Sequence, residues 1–194
     1  VSPISASWFI ITTVVAAVVF SETLTPLRIF AVAVVFIGVF FTSTNLKEFV
    51  RSIEYGRSNG VLEALLAMIS WGFSFALIKP VVDASSPLMA LLFIRLVANT
   101  FLFVGLKITR TKISFPSRAL LIILIIAGLL DAFGFATYNS GIASEYVSIV
   151  SPMAAAYPAV TVLLGRFLLK ERLVQNQKLG VLIILVGLII LATA

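Results

Sequence analysis

The chain has 194 residues, of which 61% are hydrophobic and 11% charged, with a formal net charge of +6 and a mean hydropathy of +1.17. A water-soluble domain of this size would lack the polar residues needed to cover its surface, so the composition predicts an all-α, polytopic helical membrane protein. Histidine and cysteine are both absent, which excludes disulfides, imidazole-based catalytic triads and metal sites built from those residues. We therefore expect no catalytic residues, no metal and no cofactor. The basic charge fits loops beside an anionic membrane better than it fits nucleic acid, so the lipid bilayer is the expected macromolecular surface and nucleic acid is not an expected partner.

Seven apolar runs follow one another along the chain, each about 20 residues long, which is the length a helix needs to cross ~30 Å of hydrocarbon. Between the second and third runs, residues 45–59 have a linker's composition with apolar residues at helical spacing. That stretch fits either a short helix on the membrane surface or a solvated linker. The predicted spans are Ser2–Phe20, Pro26–Thr44, Gly60–Val82, Pro87–Leu106, Arg118–Ser140, Val147–Leu169 and Gln177–Ala194.

The first 44 residues recur near the end of the chain. Residues 1–44 align without a gap onto 150–193, at a constant offset of 149, and each copy is two apolar runs joined by a polar turn that begins at a glutamate, Glu22 or Glu171. A duplicated membrane hairpin is typical of a transporter, because related halves can enclose a cavity that opens to either side. Three spans precede the second copy, so by symmetry we expect about three more before Val1, in a protein of about ten helices.

Basic residues are distributed unevenly among the loops. Eleven of the 14 lie in or beside the loops after the second, fourth and sixth spans. The positive-inside rule places that side in the cytoplasm. The eleven are Lys47, Arg51, Arg57, Lys107, Arg110, Lys112, Arg118, Arg166, Lys170, Arg172 and Lys178.

Several short motifs follow one another along the chain. They are the two Ser-Pro…Glu hairpins, Trp71-Gly72, Arg95, Tyr138-Asn139-Ser140-Gly141, and Leu168-Leu169-Lys170-Glu171-Arg172-Leu173 followed by Gly180 and Gly187. In this order they resemble the EamA family of the drug/metabolite transporter superfamily.

This resemblance implies a ten-helix carrier made of two inverted five-helix repeats, with a small-molecule solute in a central cavity. Residues 1–44 would be the last two helices of a truncated first repeat, and residues 60–194 a complete second repeat. Typical relatives export amino acids, nucleosides or toxic compounds, and some import sugars or cofactors. The family is usually drawn with both termini in the cytoplasm, which is opposite to the orientation that the loop charges predict, so sidedness stays open.

Two charged residues lie near the middle of neighbouring spans. Arg95 in the fourth span must face protein or water, because an arginine at that depth costs roughly 2.5–3.5 kcal/mol in lipid. Asp131 lies at a similar depth in the fifth span, and antiparallel neighbours would bring the two level. Either they contact a polar substrate or coupling ion, or they form a buried ion pair that fixes helix packing.

Other residues that could line a cavity are Asn99, one turn from Arg95; Tyr138, two turns from Asp131; Trp71 with Ser74 in the third span; and the repeat-related pair Trp8 and Tyr157. They offer stacking faces and hydrogen-bond donors to an amphipathic solute, although packing against a neighbouring helix explains the aromatic residues equally well.

Three further features have structural interpretations. Pro158 should kink the sixth span; the kink is either a hinge for alternating access or a static bend, and because its repeat partner is Phe9 it should break the symmetry of the copies. Glu22 and Glu171 are expected to cap the next helix or to pair with Arg28 or Arg172. Small residues along the second span of each copy, including Gly38 and Gly187, suit a contact between the repeats.

The leading functional hypothesis is a secondary carrier that moves a small organic solute by alternating access in the cell (plasma/inner) membrane. No Walker-type glycine loop is present, so nucleotide hydrolysis is not expected. The alternatives are a non-transporting structural or regulatory membrane subunit and, less favoured because acidic clusters are absent, a membrane-embedded enzyme. We expect the 194-residue chain to be inactive unless it pairs with another copy as a homodimer.

Overall fold

The structure is a computed structural model and describes residues 2–44, 60–111 and 116–194. Every element in these ranges is an α-helix, and the predicted all-α polytopic membrane fold is confirmed. Six helical segments are long and apolar enough to cross a membrane, and Pro3–Val19 is a shorter apolar segment. The proposed surface helix within 45–59 lies outside the described residues. The helices are α1 (Ser2–Ala6), α2 (Trp8–Val19), α3 (Pro26–Ser43), α4 (Val61–Ala76), α5 (Ile78–Ala84), α6 (Pro87–Ile108), α7 (Arg118–Ser144), α8 (Val147–Ala154), α9 (Tyr157–Leu168) and α10 (Gln175–Thr193).

Three of the predicted spans are each divided into two helices. Helix α4 ends at Ala76, four residues before Pro80, and α8 ends at Ala154, four residues before Pro158. Proline has no N–H, so the carbonyl four residues earlier loses its helical partner and the helix breaks there. The kink expected from Pro158 is confirmed.

The expectation that this kink would break the symmetry of the two copies is wrong. The first copy breaks at Ser7, between α1 and α2, although it has no proline at the matching position. The Ser7 hydroxyl donates to the Pro3 carbonyl oxygen at 2.7 Å, and back-bonding of this kind bends helices. At the break, both copies make the same two backbone hydrogen bonds, each between residues three positions apart. These are Ser7 N to Ile4 O (3.1 Å) and Ile10 N to Ser7 O (3.1 Å), and Ala156 N to Met153 O (3.2 Å) and Ala159 N to Ala156 O (3.0 Å).

The ends of α2 and α9 match equally closely. Ser21 and Lys170 both take a left-handed conformation, with φ of 54° and 56°. The next amide in each copy then bonds six residues back, Glu22 N to Ala16 O at 3.3 Å and Glu171 N to Gly165 O at 3.2 Å. A left-handed residue just after the helix is typical of helix C-termini, and here the following amide satisfies a carbonyl of the last turns. The two hairpins are therefore the same local structure.

The described helices form two compact units. The first comprises Val1–Leu77 and Glu145–Ala194, and the second comprises Ile78–Ser144. In the first unit a core cluster includes Trp8 and Phe9 from α2, Val35 and Val39 from α3, and Ile184 from α10.

Helices α3 and α10 make the most extensive helix–helix contact in the first unit. A Cβ added at Gly38 would lie 2.7 Å from the Ile184 nitrogen, and one added at Gly187 would lie 3.0 Å from the Val35 nitrogen. Since Gly38 corresponds to Gly187 and Val35 to Ile184, the contact is reciprocal. It pairs later residues of one helix with earlier residues of the other, so α3 and α10 are antiparallel. The predicted small-residue contact between the copies is confirmed, and the copies are inverted about an axis perpendicular to these helices.

The second unit consists of α5, α6 and α7, which contact one another pairwise. Helix α6 begins after Ser86, whose side-chain oxygen accepts a hydrogen bond from the Met89 amide at 3.3 Å, as expected for an N-cap followed by proline. Asn139, fully buried in α7, donates through Nδ2 to the Pro87 carbonyl at 3.0 Å. This bond fixes the start of α6 against the end of α7.

Candidate functional site

The predicted pairing of Arg95 with Asp131 is present in the second unit. Arg95 of α6 donates through a guanidinium nitrogen to a carboxylate oxygen of Asp131 on α7. The Arg95 guanidinium carbon also lies 4.4 Å from the ring centroid of Phe135, one turn after Asp131. Ion pairing and a cation–π contact thus hold the same guanidinium.

This pair is half-buried. The side chains of Arg95 and Asp131 are 39% and 54% exposed, although both residues lie well inside helices that qualify as membrane spans. A charge at that depth is costly in contact with lipid. The exposed parts of the two groups are therefore expected to face water or protein rather than lipid.

Asn99 lies on the face of α6 that carries Arg95, one turn further on, and its side chain is exposed. It lines an open groove of about 300 Å³ together with Leu96, Thr100, Phe103, Val104 and Lys107. A second open cavity of about 410 Å³ lies beside α5 and α6 and is almost wholly apolar; its lining residues are Pro80, Val81, Ala84, Ser85, Met89 and Phe93. Neither of these two cavities is lined by Arg95 or Asp131.

Tyr138, two turns after Asp131, is buried, with 6% of its surface exposed. Asn139 beside it is more informative, and sequence reasoning quoted it only as part of a motif. Its Oδ1 is buried without a hydrogen-bond partner, while its Nδ2 is bonded to Pro87. A side-chain amide within a predicted membrane span was the available signal.

The aromatic candidates of the first unit differ in burial. Trp8 is only 3% exposed and stacks on Phe75 of α4, with ring centroids 4.1 Å apart and an interplanar angle of 26°. Its repeat partner Tyr157 is 47% exposed, and Trp71 is 52% exposed. Packing therefore accounts for Trp8, whereas a cavity-lining role for Trp71 and Tyr157 stays a prediction.

Ser74 is also exposed on α4, and its hydroxyl donates to the Ser70 carbonyl at 2.7 Å. This bond leaves the oxygen lone pairs of Ser74 available on the exposed face of the helix. A lining role for Ser74, like the hinge role of Pro158, stays a prediction.

Glu22 has a structural role, as expected, but it caps a different helix from the one predicted. Its carboxylate oxygens accept hydrogen bonds from the backbone amides of Val147 at 2.7 Å and Ser148 at 2.9 Å, at the start of α8. The prediction of a cap on the next helix was wrong, because α8 of the second copy begins where α2 ends. Arg28 lies 5.1 Å from the ring centroid of Tyr146 and donates to the Thr23 carbonyl.

Most of the chain matches the model of a known protein family. No curated protein is significantly similar to it. The model of the EamA-like transporter family matches residues 58–193, which comprise all the helices from α4 to α10. These helices carry the Arg95–Asp131 pair and the second copy of the hairpin. With this match over more than two thirds of its length, the chain belongs to the EamA-like transporter family and is an integral, multi-pass membrane protein of a transporter type.

Proposed function

We propose that the protein is a secondary transporter that carries a small organic solute across the cell (plasma/inner) membrane by alternating access. Membership of a transporter family and an inverted repeat support this function. Residues 1–44 are then the last two helices of the first repeat, and residues 60–194 are the second repeat. Ten helices make up the complete carrier.

The proposal of a binding site rests on the Arg95–Asp131 pair. Both side chains are partly exposed at mid-span, so the pair leaves part of each charged group uncovered. A polar solute or a coupling ion can compete for either charge. Asn99 adds a hydrogen-bonding amide one turn away on α6.

The test is solute uptake or efflux by the complete protein with Arg95→Ala or Asp131→Asn. We expect at least about tenfold lower transport from either variant, corresponding to a loss of ~1.4 kcal/mol of interaction, with normal membrane insertion. The matched control is the second ion pair of the same unit, Lys79 with Asp83, joined at 2.7 Å on α5. Lys79→Ala should transport normally.

Unchanged transport by the Arg95 and Asp131 variants would remove the pair from the site. A wild-type protein that moves no solute and copurifies with a fixed partner would instead support a non-transporting membrane subunit.

A further inference from the structure

The turn between α9 and α10 carries more positive charge than the matching turn of the first copy. Residues 166–178 contain four cations and one acid, a net charge of +3, whereas residues 17–29 contain one cation, Arg28, and one acid, Glu22, and are neutral. Because the backbone of the two turns is alike, their shape does not require this charge. The four cations are all exposed, and we call them the basic turn; they are Arg166, Lys170, Arg172 and Lys178.

The basic turn is gathered at one end of the two helices. Arg166 Nη1 donates to the Glu171 carbonyl oxygen at 3.3 Å, so its guanidinium lies at the peptide that joins Glu171 to Arg172. The Lys178 amide donates to the Val174 carbonyl at 3.3 Å, which places Lys178 in the first turn of α10. The cations therefore occupy the end of α9, the start of α10 and the turn between them.

The chain does not balance this charge within its described residues. There, no side chain of the basic turn forms an ion pair. The acid of the turn, Glu171, is folded against α9, since a Cβ added at Gly165 would lie 2.9 Å from one of its carboxylate oxygens. An exposed cluster with net positive charge is thus left facing outward.

The helix dipoles account for only part of the cluster. Arg166 and Lys170 lie at the C-terminal end of α9, where a cation interacts favourably with the partial negative charge of the helix. Lys178 lies in the first turn of α10, which contains no acidic residue, and the partial positive charge there disfavours a cation. A negatively charged partner from outside the chain would stabilise Lys178 in this position.

Exposed apolar side chains continue from the basic turn along both helices. They include Phe167 and Leu168 on α9, and Leu179 and Leu182 on α10. Both helices belong to segments that qualify as membrane spans, so the basic turn lies at the membrane surface with apolar side chains toward the hydrocarbon. Phe167 and its first-copy counterpart Val18 are both 75% exposed, so this side of the helix faces outward in both copies.

We propose that the basic turn binds the headgroup of an anionic phospholipid, whose acyl chains lie against the exposed apolar side chains of α9 and α10. Clustered cations at a membrane surface attract anionic lipids, and arginine can donate two parallel hydrogen bonds to a phosphate. A soluble phosphate would use the same cations but would gain nothing from the apolar surface, so the partner is a lipid. The turn of the first copy has the same shape without the charge and provides no such site.

The experiment is thermal unfolding of the protein in detergent micelles with added phosphatidylglycerol or phosphatidylcholine. Phosphatidylglycerol should raise the melting temperature by at least about 3 °C, because a ligand that binds the folded state stabilises it. Phosphatidylcholine, which has no net charge, should not. Arg172→Gln/Lys178→Gln should abolish the rise. The matched control is Lys107→Gln/Arg110→Gln, which removes two exposed cations from the end of α6 and the turn that follows it and should keep the rise.

Lys178→Gln alone should reduce the rise, and it keeps the test decisive if the double variant does not fold. The proposal is overturned if phosphatidylglycerol gives no rise, if phosphatidylcholine gives the same rise, or if the basic-turn variants keep it. It is also overturned if the control variant loses the rise equally, because the lipid then responds to net charge alone.

Glycerol phosphate, which has the charge of the headgroup without acyl chains, distinguishes a lipid from a soluble anion. It should not raise the melting temperature at the concentration where phosphatidylglycerol does, and an equal rise would overturn the assignment to a lipid. No solute is transported in these measurements, so their outcome is independent of the proposed transport function.

Discussion

Replacing Glu22 with glutamine should strongly destabilise the first unit. The carboxylate accepts two backbone hydrogen bonds, from Val147 at 2.7 Å and Ser148 at 2.9 Å, in a setting where only 8% of the residue is exposed. Glutamine keeps one oxygen, so one buried amide loses its acceptor, which costs about 1–3 kcal/mol. Loss of the negative charge at the start of α8 adds up to about 2 kcal/mol. We therefore expect a loss of about 2–4 kcal/mol.

The assay is thermal unfolding in detergent, where a loss of this size lowers the melting temperature by on the order of 10 °C. Glu63→Gln provides the matched control, because Glu63 is an exposed acid in the first turn of α4 and its charge should contribute less than about 1 kcal/mol. Equal, small shifts for the two variants would refute the reasoning, since they would mean that the Glu22 carboxylate does not hold α8.

Three further predictions concern packing and the ion pair. Gly38→Leu should prevent the close contact of α3 and α10 and lower the melting temperature by more than about 5 °C, because its Cβ would overlap backbone. Asn139→Ala should cost about 0.5–1.5 kcal/mol, because it removes the hydrogen bond from Asn139 to the Pro87 carbonyl that joins α6 and α7; the same unfolding assay measures it. For stability, the Arg95→Ala/Asp131→Asn double variant should be less damaging than Arg95→Ala alone, because the single change leaves an unpaired carboxylate at mid-span; a double-mutant cycle of melting temperatures checks this.

Hydropathy and the internal repeat were sufficient to predict the contact between the copies and six of the seven spans; the first predicted span, Ser2–Phe20, corresponds to the shorter apolar segment Pro3–Val19. The Arg95–Asp131 pair was also predictable, because a charge that lipid excludes has few available partners, and Asp131 is a carboxylate at matching depth in the adjoining span. The spans follow from the mean hydropathy of each segment, and the ion pair follows from the small number of charged residues within the spans. Both quantities can be read directly from the sequence.

Other features depend on three-dimensional contacts that the sequence does not display. The bend at Ser7 is not marked by a proline at the position that matches Pro158. It is associated with the hydrogen bond from the Ser7 hydroxyl to the Pro3 carbonyl oxygen. The cap of α8 by Glu22 joins residues 125 positions apart. Trp8 and Tyr157 are interchangeable in the alignment of the copies, and only the presence of α4 over Trp8 separates their environments.

The antiparallel contact of α3 and α10 has a consequence for how the protein is inserted during synthesis. Because the copies are inverted, the turns 20–25 and 169–174 face opposite sides of the bilayer, so the same hairpin must enter the membrane in both directions. Its apolar residues cannot specify the direction, since they are shared. The second copy instead carries basic residues at four positions where the first is uncharged; they are Arg166, Lys170, Arg172 and Lys178, opposite Ala17, Ser21, Thr23 and Ile29. Because basic residues favour the cytoplasmic side, this charge difference is a signal by which the insertion machinery can distinguish the two hairpins.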